Sequence, residues 1–600
     1  MSHPFKGHPF RNPLWWIVAI LALVARTLYG LSMAIKGEDY YHTYLIGLKY
    51  FTTGVWPYWG PDVVHTQSQI PGALEGLLVG GPFYLWAHPA SPIIFLNLLS
   101  FASLTLLGAY LVRKFPGVPA WFIWMWVWFS PWTLNFSTTP INPSYLLVMA
   151  IPFWIVLLDG YAYGGKSIRP GWVFFIIGFA IGWAMQLHLS WVLMPCLAFP
   201  LFIQMWKQRG WKFASGLALI GLAGMLISLS TLYPTLIRYS DMGSGGVGNN
   251  VVFQTKNLGR FFDLVFRCMG FASYEIRFFI MGGAEGEMQL IRDHWWMAPL
   301  LIIVFVAGLA QCGFYIVNFF LRNNRPEWKV ARRLTAGALI LLYVSYLFSI
   351  RSPGSFTFYL LLPLIVWYAC FSWQKWFRKK LLTRAAVVVV AANLVVHGGF
   401  ALEYAPKVST WAYGENIRKS IEEKDSRHFG YRRVANWELA MRDRTWTREA
   451  FADNGEQVVR YHQDFEFPDA FIRPEYADDS TSFKGTWADR VRYPFTNSMR
   501  LKRSVSEIGD FQAISVSVAS LCVQPNNASL DIYVTGSGKE LYAFHGPLCS
   551  DGTVPGNWQQ QQFGVHPEQT FPPDAVVEVF VNLNGDAGEV WVDELNVEFR

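Results

Sequence analysis

The chain has 600 residues, of which 52% are hydrophobic, 17% aromatic and only 15% charged, with a formal net charge of +7. A soluble protein carries roughly 25% charged residues, so this composition excludes a disordered chain, a nucleic-acid-binding tail and an ordinary cytosolic enzyme. Six Cys in 600 residues, with no CxxC spacing, exclude a disulfide scaffold and a zinc module.

In chain order, apolar runs lie near 13–35, 93–111, 119–138, 144–160, 171–187, 189–206, 214–237, 297–320, 334–350, 355–372 and 384–402. Each is long enough to cross about 30 Å of hydrocarbon, and only a helix satisfies its own backbone there. These runs predict about eleven transmembrane helices. The first has no small-residue cleavage site and reads as a retained span. Arg26, inside it, is expected to face the bundle or snorkel. The run 72–88 is apolar but short and rich in Gly and Pro, which predicts an interfacial or re-entrant helix. The Trp-rich run 121–132 is expected to be mostly lipid-facing.

Lys and Arg gather in alternate loops, at Lys6 and Arg11, Arg113 and Lys114, Lys166 and Arg169, Lys207 to Lys212, Arg322 to Arg333 and Lys375 to Arg384. The other short loops hold only Lys36, Lys49 and Arg351. The positive-inside rule then puts the N-terminus in the cytoplasm, and an odd number of spans puts the C-terminal part outside. The predicted location is the cell membrane, inner or plasma, as a multi-pass protein.

Three domains are expected: a membrane domain at 1–404, a mixed helical linker at 405–499 and a β-sandwich at 500–600. Helical stretches occur within 412–456. After about 510 the sequence alternates at period two between turn residues, which predicts a sandwich or jelly roll. Trp558, Trp591 and Tyr542 are its candidates for stacking on sugar rings, making the sandwich a candidate carbohydrate-binding module. The other reading is a folded spacer with Trp in its core. Cys522 and Cys549 could pair in an oxidising compartment, and the sequence leaves their pairing open.

The chemistry-bearing feature of the first outer segment is the acidic pair Glu38-Asp39, directly after the first span. Carboxylates half in an interface are costly unless used, and desolvation would raise a pKa toward general-base work. The same pair also reads as an interfacial cap. Asp62 is a second acid in this segment, and His65 and His188 are expected at the same face. The long outer loop 238–296 holds Lys256, Arg260 and Arg277 behind the Gly-rich GSGGVGNN, and Arg351 follows a later helix end. Such cations suit a phosphate; a solvated basic face is the alternative.

GEDYYHTYLIGLKYFTTGVWPYW resembles the first outer loop of GT-C fold glycosyltransferases, the class of protein O-mannosyltransferases and the aminoarabinose transferase. Asp39 and Gly54 keep that loop's spacing. QSQIPGALEGLLVGGPFYLW resembles the juxtamembrane helix of the class, without its usual basic residue before Pro71. FSPWTLNFSTTPINPSYLL, WAMQLHLSWVLMP and SPGSFTFYLLLPL resemble three further elements.

The resemblance implies a polyprenyl-phosphate-linked sugar donor and a protein, lipid or glycan acceptor. It implies Asp39, with Glu38 beside it, as the group that deprotonates an acceptor hydroxyl for inverting attack. Lys256, Arg260, Arg277 and Arg351 would meet the leaving phosphate, and Asp62, His65 and His188 would stand on the acceptor side. Some members use a divalent metal, Mg or Mn; the sequence offers no ligand cluster for one. Two other classes compete: a flippase of lipid-linked sugars, which calls for intramembrane charges and internal repeats, and a non-catalytic glycan-binding envelope protein, which needs neither the acidic pair nor the basic loop.

Overall fold

The computed structural model describes residues 12–33, 38–63, 68–163, 168–238, 253–273, 275–276, 280, 283–321, 325–349, 354–409, 412–429, 445–453, 455–466, 477–492, 497–537, 539–550, 554–584 and 588–600. The chain divides into two compact units, Met1–Arg433 and Val434–Arg600.

The first unit is helical. Its helices are α1 (Pro13–Ser32), α2 (Glu38–Thr53), α3 (Leu74–Leu85), α4 (Ser91–Lys114), α5 (Ala120–Phe129), α6 (Pro131–Phe136), α7 (Leu146–Tyr163), α8 (Pro170–Met185) and α9 (Leu193–Arg209). They continue with α10 (Trp211–Ser228), α11 (Tyr233–Arg238), α12 (Phe261–Met269), α13 (Gly283–Asp293), α14 (Met297–Phe320), α15 (Pro326–Leu347), α16 (Leu362–Trp376), α17 (Lys380–Ser409) and α18 (Ala412–Glu422). Among the described residues, eight helices are long and apolar enough to cross a membrane. This is a multi-pass membrane region, but the expected eleven full-length spans are not all met. The run 119–138 is split at Ser130-Pro131, where Pro starts a new helix, and α8 and α16 have 16 and 15 residues.

The Trp-rich run is core rather than lipid-facing. Trp124, Trp126, Trp128 and Trp132 are all buried, and only Trp121 is exposed. The reason is the split itself, which needs partners in the bundle. Arg26 of α1 is fully buried and bonds the Trp128 carbonyl and Ser137 Oγ, the latter at 2.8 Å. Asn393 of α17 donates to the Phe129 carbonyl at 2.5 Å. Interior polar groups thus satisfy the backbone that the Ser130-Pro131 break frees. Helices α8 and α10 meet through glycines: a Cβ on Gly178 would lie 1.8 Å from the Gly221 carbonyl oxygen. Small residues of this kind let two membrane helices pack backbone to backbone.

After α17 the chain does not leave the helical unit. Helix α18 and the turn Ser426–Phe429 place Ile417, Ile421 and Phe429 in one apolar cluster with Tyr40, Tyr41, Tyr44 and Leu45 of α2.

The second unit is a β-sandwich. One sheet has the order β10-β9-β12-β7, with β7 (Leu501–Ser504), β9 (Ala528–Gly536), β10 (Lys539–Pro547) and β12 (Val576–Leu583). The other has the order β11-β8-β13-β4-β3, with β3 (Thr447–Asp453), β4 (Glu456–Gln463), β8 (Ile514–Cys522), β11 (Trp558–Val565) and β13 (Glu589–Phe599). Strand β6 (Ala488–Arg492) also pairs with β13. The sandwich therefore recruits strands from 447 onward, inside the stretch expected to be a helical linker. Inward Val, Ile and Leu side chains from both sheets form its core. Cys522, ending β8, and Cys549, just past β10, form a disulfide between the two sheets.

The expected sugar-stacking aromatics are taken up by packing. Trp591 is buried, with the Arg490 guanidinium 4.8 Å from its ring centre. Trp558 and Tyr542 are half-buried, Trp558 bonding Thr481 and Tyr542 lying against Phe571.

Asp593 of β13 accepts backbone N–H bonds from Phe483, Lys484 and Glu594 at 2.8–3.0 Å. Burial outweighs those bonds and pushes its carboxyl up to about 6. A carboxyl raised in the folded state holds a proton that the unfolded chain has released, so its contribution to stability is greatest below about pH 4 and is lost as pH rises through 6. The Tm of the C-terminal transition should fall between about pH 4 and pH 6 in the full chain, and Asp593→Asn should flatten that fall. An unchanged slope in the variant would contradict this assignment.

Candidate active site

Helix α2 opens on Glu38-Asp39 and ends at Thr53. The chain then turns at Gly54, in the left-handed region at φ 68°, and forms a ribbon of β1 (Trp59–Val63) and β2 (Ser68–Pro71) before α3. The ribbon's register sets Asp62 opposite Gln69, and the Gln69 amide stands 2.9 Å from the His42 ring of α2. Helices α2 and α3 pack tightly: a Cβ on Gly47 would come within 2.9 Å of the Gly80 backbone nitrogen.

This subassembly is fastened to the bundle by polar contacts. Gln186, at the C-cap of α8, accepts from Thr231 Oγ1 at 2.6 Å and donates to the Ser228 carbonyl at 3.0 Å. Gly72 at the end of the ribbon has φ 122°, and a Cβ there would lie 2.6 Å from Gln186 Oε1. Only glycine fits that turn against that amide. On α11, Thr235 donates to the Tyr58 carbonyl at 2.6 Å, and exposed Arg238 donates to the Tyr58 hydroxyl at 2.7 Å. The 72–88 run forms helix α3 over Leu74–Leu85, packed on α2 and α4 with most of its residues buried; the exposed part of the run is its end, Tyr84 to His88.

All five motif segments that resemble the GT-C class therefore touch one another or the same elements. Gln186 of WAMQLHLSWVLMP meets the ribbon. Tyr145 of NPSYLL reaches the Leu78 carbonyl of α3 at 3.4 Å. Trp132 of the FSPWTL segment donates to the Ser355 carbonyl of SPGSFTFYLLLPL at 3.0 Å.

The candidate residues divide as follows. Glu38 and Asp39 sit in the first turn of α2 and Asp62 in β1; their side chains lie outside the described residues, as do His65, Arg277, Arg351 and the loop GSGGVGNN. Lys256 and Arg260 are exposed on the 3-10 turn Thr255–Arg260. That turn is strapped to the end of α15, where Asn257 donates to the carbonyls of Tyr346 and Ser349, each at 2.8 Å. His188 is spent on local structure: its Nδ1 accepts from the Ser190 backbone N–H at 3.1 Å, capping the turn Leu189–Val192. Burial pushes its imidazole down to about 4, leaving it neutral at physiological pH. Among the described residues no three His, Cys, Asp or Glu side chains gather as metal ligands.

Several polar residues of this region are not among the sequence candidates. Lys49 and Glu75 are buried on α2 and α3, as are His42 and Gln69. The signal for Glu75 is its place as the one acid in an apolar twelve-residue helix, a costly position. Arg238 closes an apolar run and carried no motif.

No family model matches the chain, and no curated protein matches it. Among solved structures, ArnT from Cupriavidus metallidurans in the apo state is similar at a TM-score of 0.40 and 12% identity, covering 72% of this chain and 81% of that one. ArnT from the same organism bound to undecaprenyl phosphate gives 0.40 and 13%, with the same coverage. Arabinosyltransferase EmbB from Mycobacterium smegmatis gives 0.32 and 11%, covering 99% of this chain and 65% of that one. These neighbours are GT-C fold membrane glycosyltransferases.

Proposed function

We propose that this chain is a GT-C-type membrane glycosyltransferase that moves a sugar from a polyprenyl-phosphate donor to an acceptor hydroxyl on the outer face, with inversion. The observation that carries the reading is the fixed frame around α2. The helix that opens on Glu38-Asp39 is held between α3, the ribbon and α18, and the ribbon is stapled to the helix ends at Gln186, Thr231, Thr235 and Arg238. A rigid helix presenting an acid where the apolar helices end is the preorganisation a general base needs.

In this reading Asp39 takes the acceptor proton as the hydroxyl oxygen attacks the anomeric carbon, with Glu38 tuning it. The C–O bond to the lipid phosphate breaks and the phosphate leaves with the bonding pair. Lys256, Arg260, Arg277 and Arg351 meet that developing charge. Asp62 and His65 stand on the acceptor side, and a polyprenyl tail lies among the helices. The N-terminus is cytoplasmic and the sandwich external, where it serves as an accessory glycan-binding module. The buried Cys522–Cys549 bond supports that side, since such bonds persist in oxidising compartments.

The test is chemical. The purified full chain in lipid nanodiscs, given a radiolabelled polyprenyl-phosphate sugar and cell-envelope acceptor, should release polyprenyl phosphate and label the acceptor. Transbilayer movement of the donor with no label on any acceptor would favour a flippase and sink the transferase reading.

A further inference from the structure

The sheet β10-β9-β12-β7 has one face in the sandwich core, where Leu530, Ile532, Val534, Val577, Val579 and Val581 are buried. Its other face is not an ordinary solvated surface. Antiparallel register sets His545, Asp531 and Phe580 in one row, Pro547, Ser529 and Asn582 in the next, and Ala543, Tyr533 and Glu578 on the other side. Asp531, at the centre, is fully buried although it points away from the core. Side chains of its own face cover it. Ser529 Oγ donates to its carboxylate at 2.7 Å, His545 Nδ1 stands at 2.9 Å and Asn582 Nδ2 donates at 3.1 Å. Asn584 extends the network, donating to Ser529 Oγ at 3.2 Å and accepting from Asn582 at 2.8 Å. The Tyr533 ring stacks on Phe580 at 5.9 Å and meets the His545 ring nearly edge-on at 5.5 Å.

A buried carboxylate used this way fixes the rotamers of its neighbours before any ligand arrives. The His545 side chain remains 53% exposed, so its other ring nitrogen faces outward, beside the Tyr533 ring and the asparagine amides. Arg500 and Lys502 on one side and Glu578 and Asp531 on the other give this face two formal charges of each sign. Arg500 and Lys502 each pair with Glu578 at 2.7 Å, and His545 pairs with Asp531. Nothing here calls for an ionic ligand. Nor is it a hydrolytic triad, because the Ser529 hydroxyl donates to Asp531 and is not poised to give its proton to His545. What remains is a preorganised row of planar donors and acceptors beside an aromatic ring. That combination suits a sugar ring, with C–H groups on the aromatic face and hydroxyls on the imidazole and amides.

We infer that this face binds a neutral oligosaccharide, held by Tyr533, His545, Asn582 and Asn584. The inference deepens the reading of the sandwich as a glycan-binding module and puts the ligand on the β10-β9-β12-β7 face rather than at Trp558, Trp591 or Tyr542.

The test uses the full chain in detergent micelles against immobilised arabinan, xylan and mannan, with polygalacturonate as an acidic control. Wild type should be retained by at least one neutral polymer. Tyr533→Ala and His545→Ala should each weaken retention about tenfold without lowering Tm, and Trp558→Ala should leave it unchanged. Retention unaffected by both face variants, or lost only in Trp558→Ala, overturns the inference and leaves the glycan-binding reading standing. Retention on polygalacturonate alone overturns the inference and likewise leaves the glycan-binding reading standing; no retention on any of the four polymers overturns both.

Discussion

Asp39→Asn should insert and fold at the wild-type level and transfer sugar at least ~100-fold more slowly, the scale of a lost general base. The replacement keeps the size of the side chain and an oxygen that can accept a hydrogen bond, so it removes only the ability to take a proton. The helix should tolerate it, because a carboxylate in a first turn is worth only about 0.3–1 kcal/mol to helix stability and Asn suits a helix N-terminus. The measurement is release of polyprenyl phosphate from a labelled donor at saturating acceptor, with expression and melting temperature as controls. Glu38→Gln should cost less than about tenfold, because in this reading Glu38 only tunes its neighbour. Asp39→Asn activity within threefold of wild type would remove Asp39 from the mechanism.

Cys522→Ser should destabilise the sandwich by ~3.5 kcal/mol. The bond joins residues 27 apart in sequence and ties the end of one sheet to the other, so its loss frees that loop in the unfolded chain. Cys549→Ser and the double variant should cost the same, because each removes one and the same bond. Reductant should lower the Tm of the wild-type C-terminal transition to that of the variants and leave the variants unmoved. A wild-type transition indifferent to reductant would contradict this.

The sequence made the membrane region legible because eighteen or more consecutive apolar residues have few other uses. Three of the runs form helices shorter than a full span, and the one interrupted at Ser130-Pro131 finds its partners Arg26 and Asn393 on distant helices. The late strands showed clean alternation. The early ones did not: β3, TREAFAD, is an edge strand with most residues exposed, so it has no buried face to write a period of two, and its neighbourhood read as helical. At the candidate site, Glu38-Asp39 and the Gln186–His188 hairpin were visible as motifs. His42, Lys49 and Glu75 were not, because whether a polar side chain in an apolar segment is buried depends on the packing of α2 against α3 and the ribbon.

The contact between α18 and α2 bears on how this protein can be cut and recombined. Truncation just after α17, where the apolar sequence stops, would strip Ile417, Ile421 and Phe429 from the tyrosines of α2 and leave an oily patch beside the acidic pair. The helical unit is self-contained only if it keeps residues through 429. A hybrid that joins these helices to a foreign external module should therefore place its seam beyond that turn.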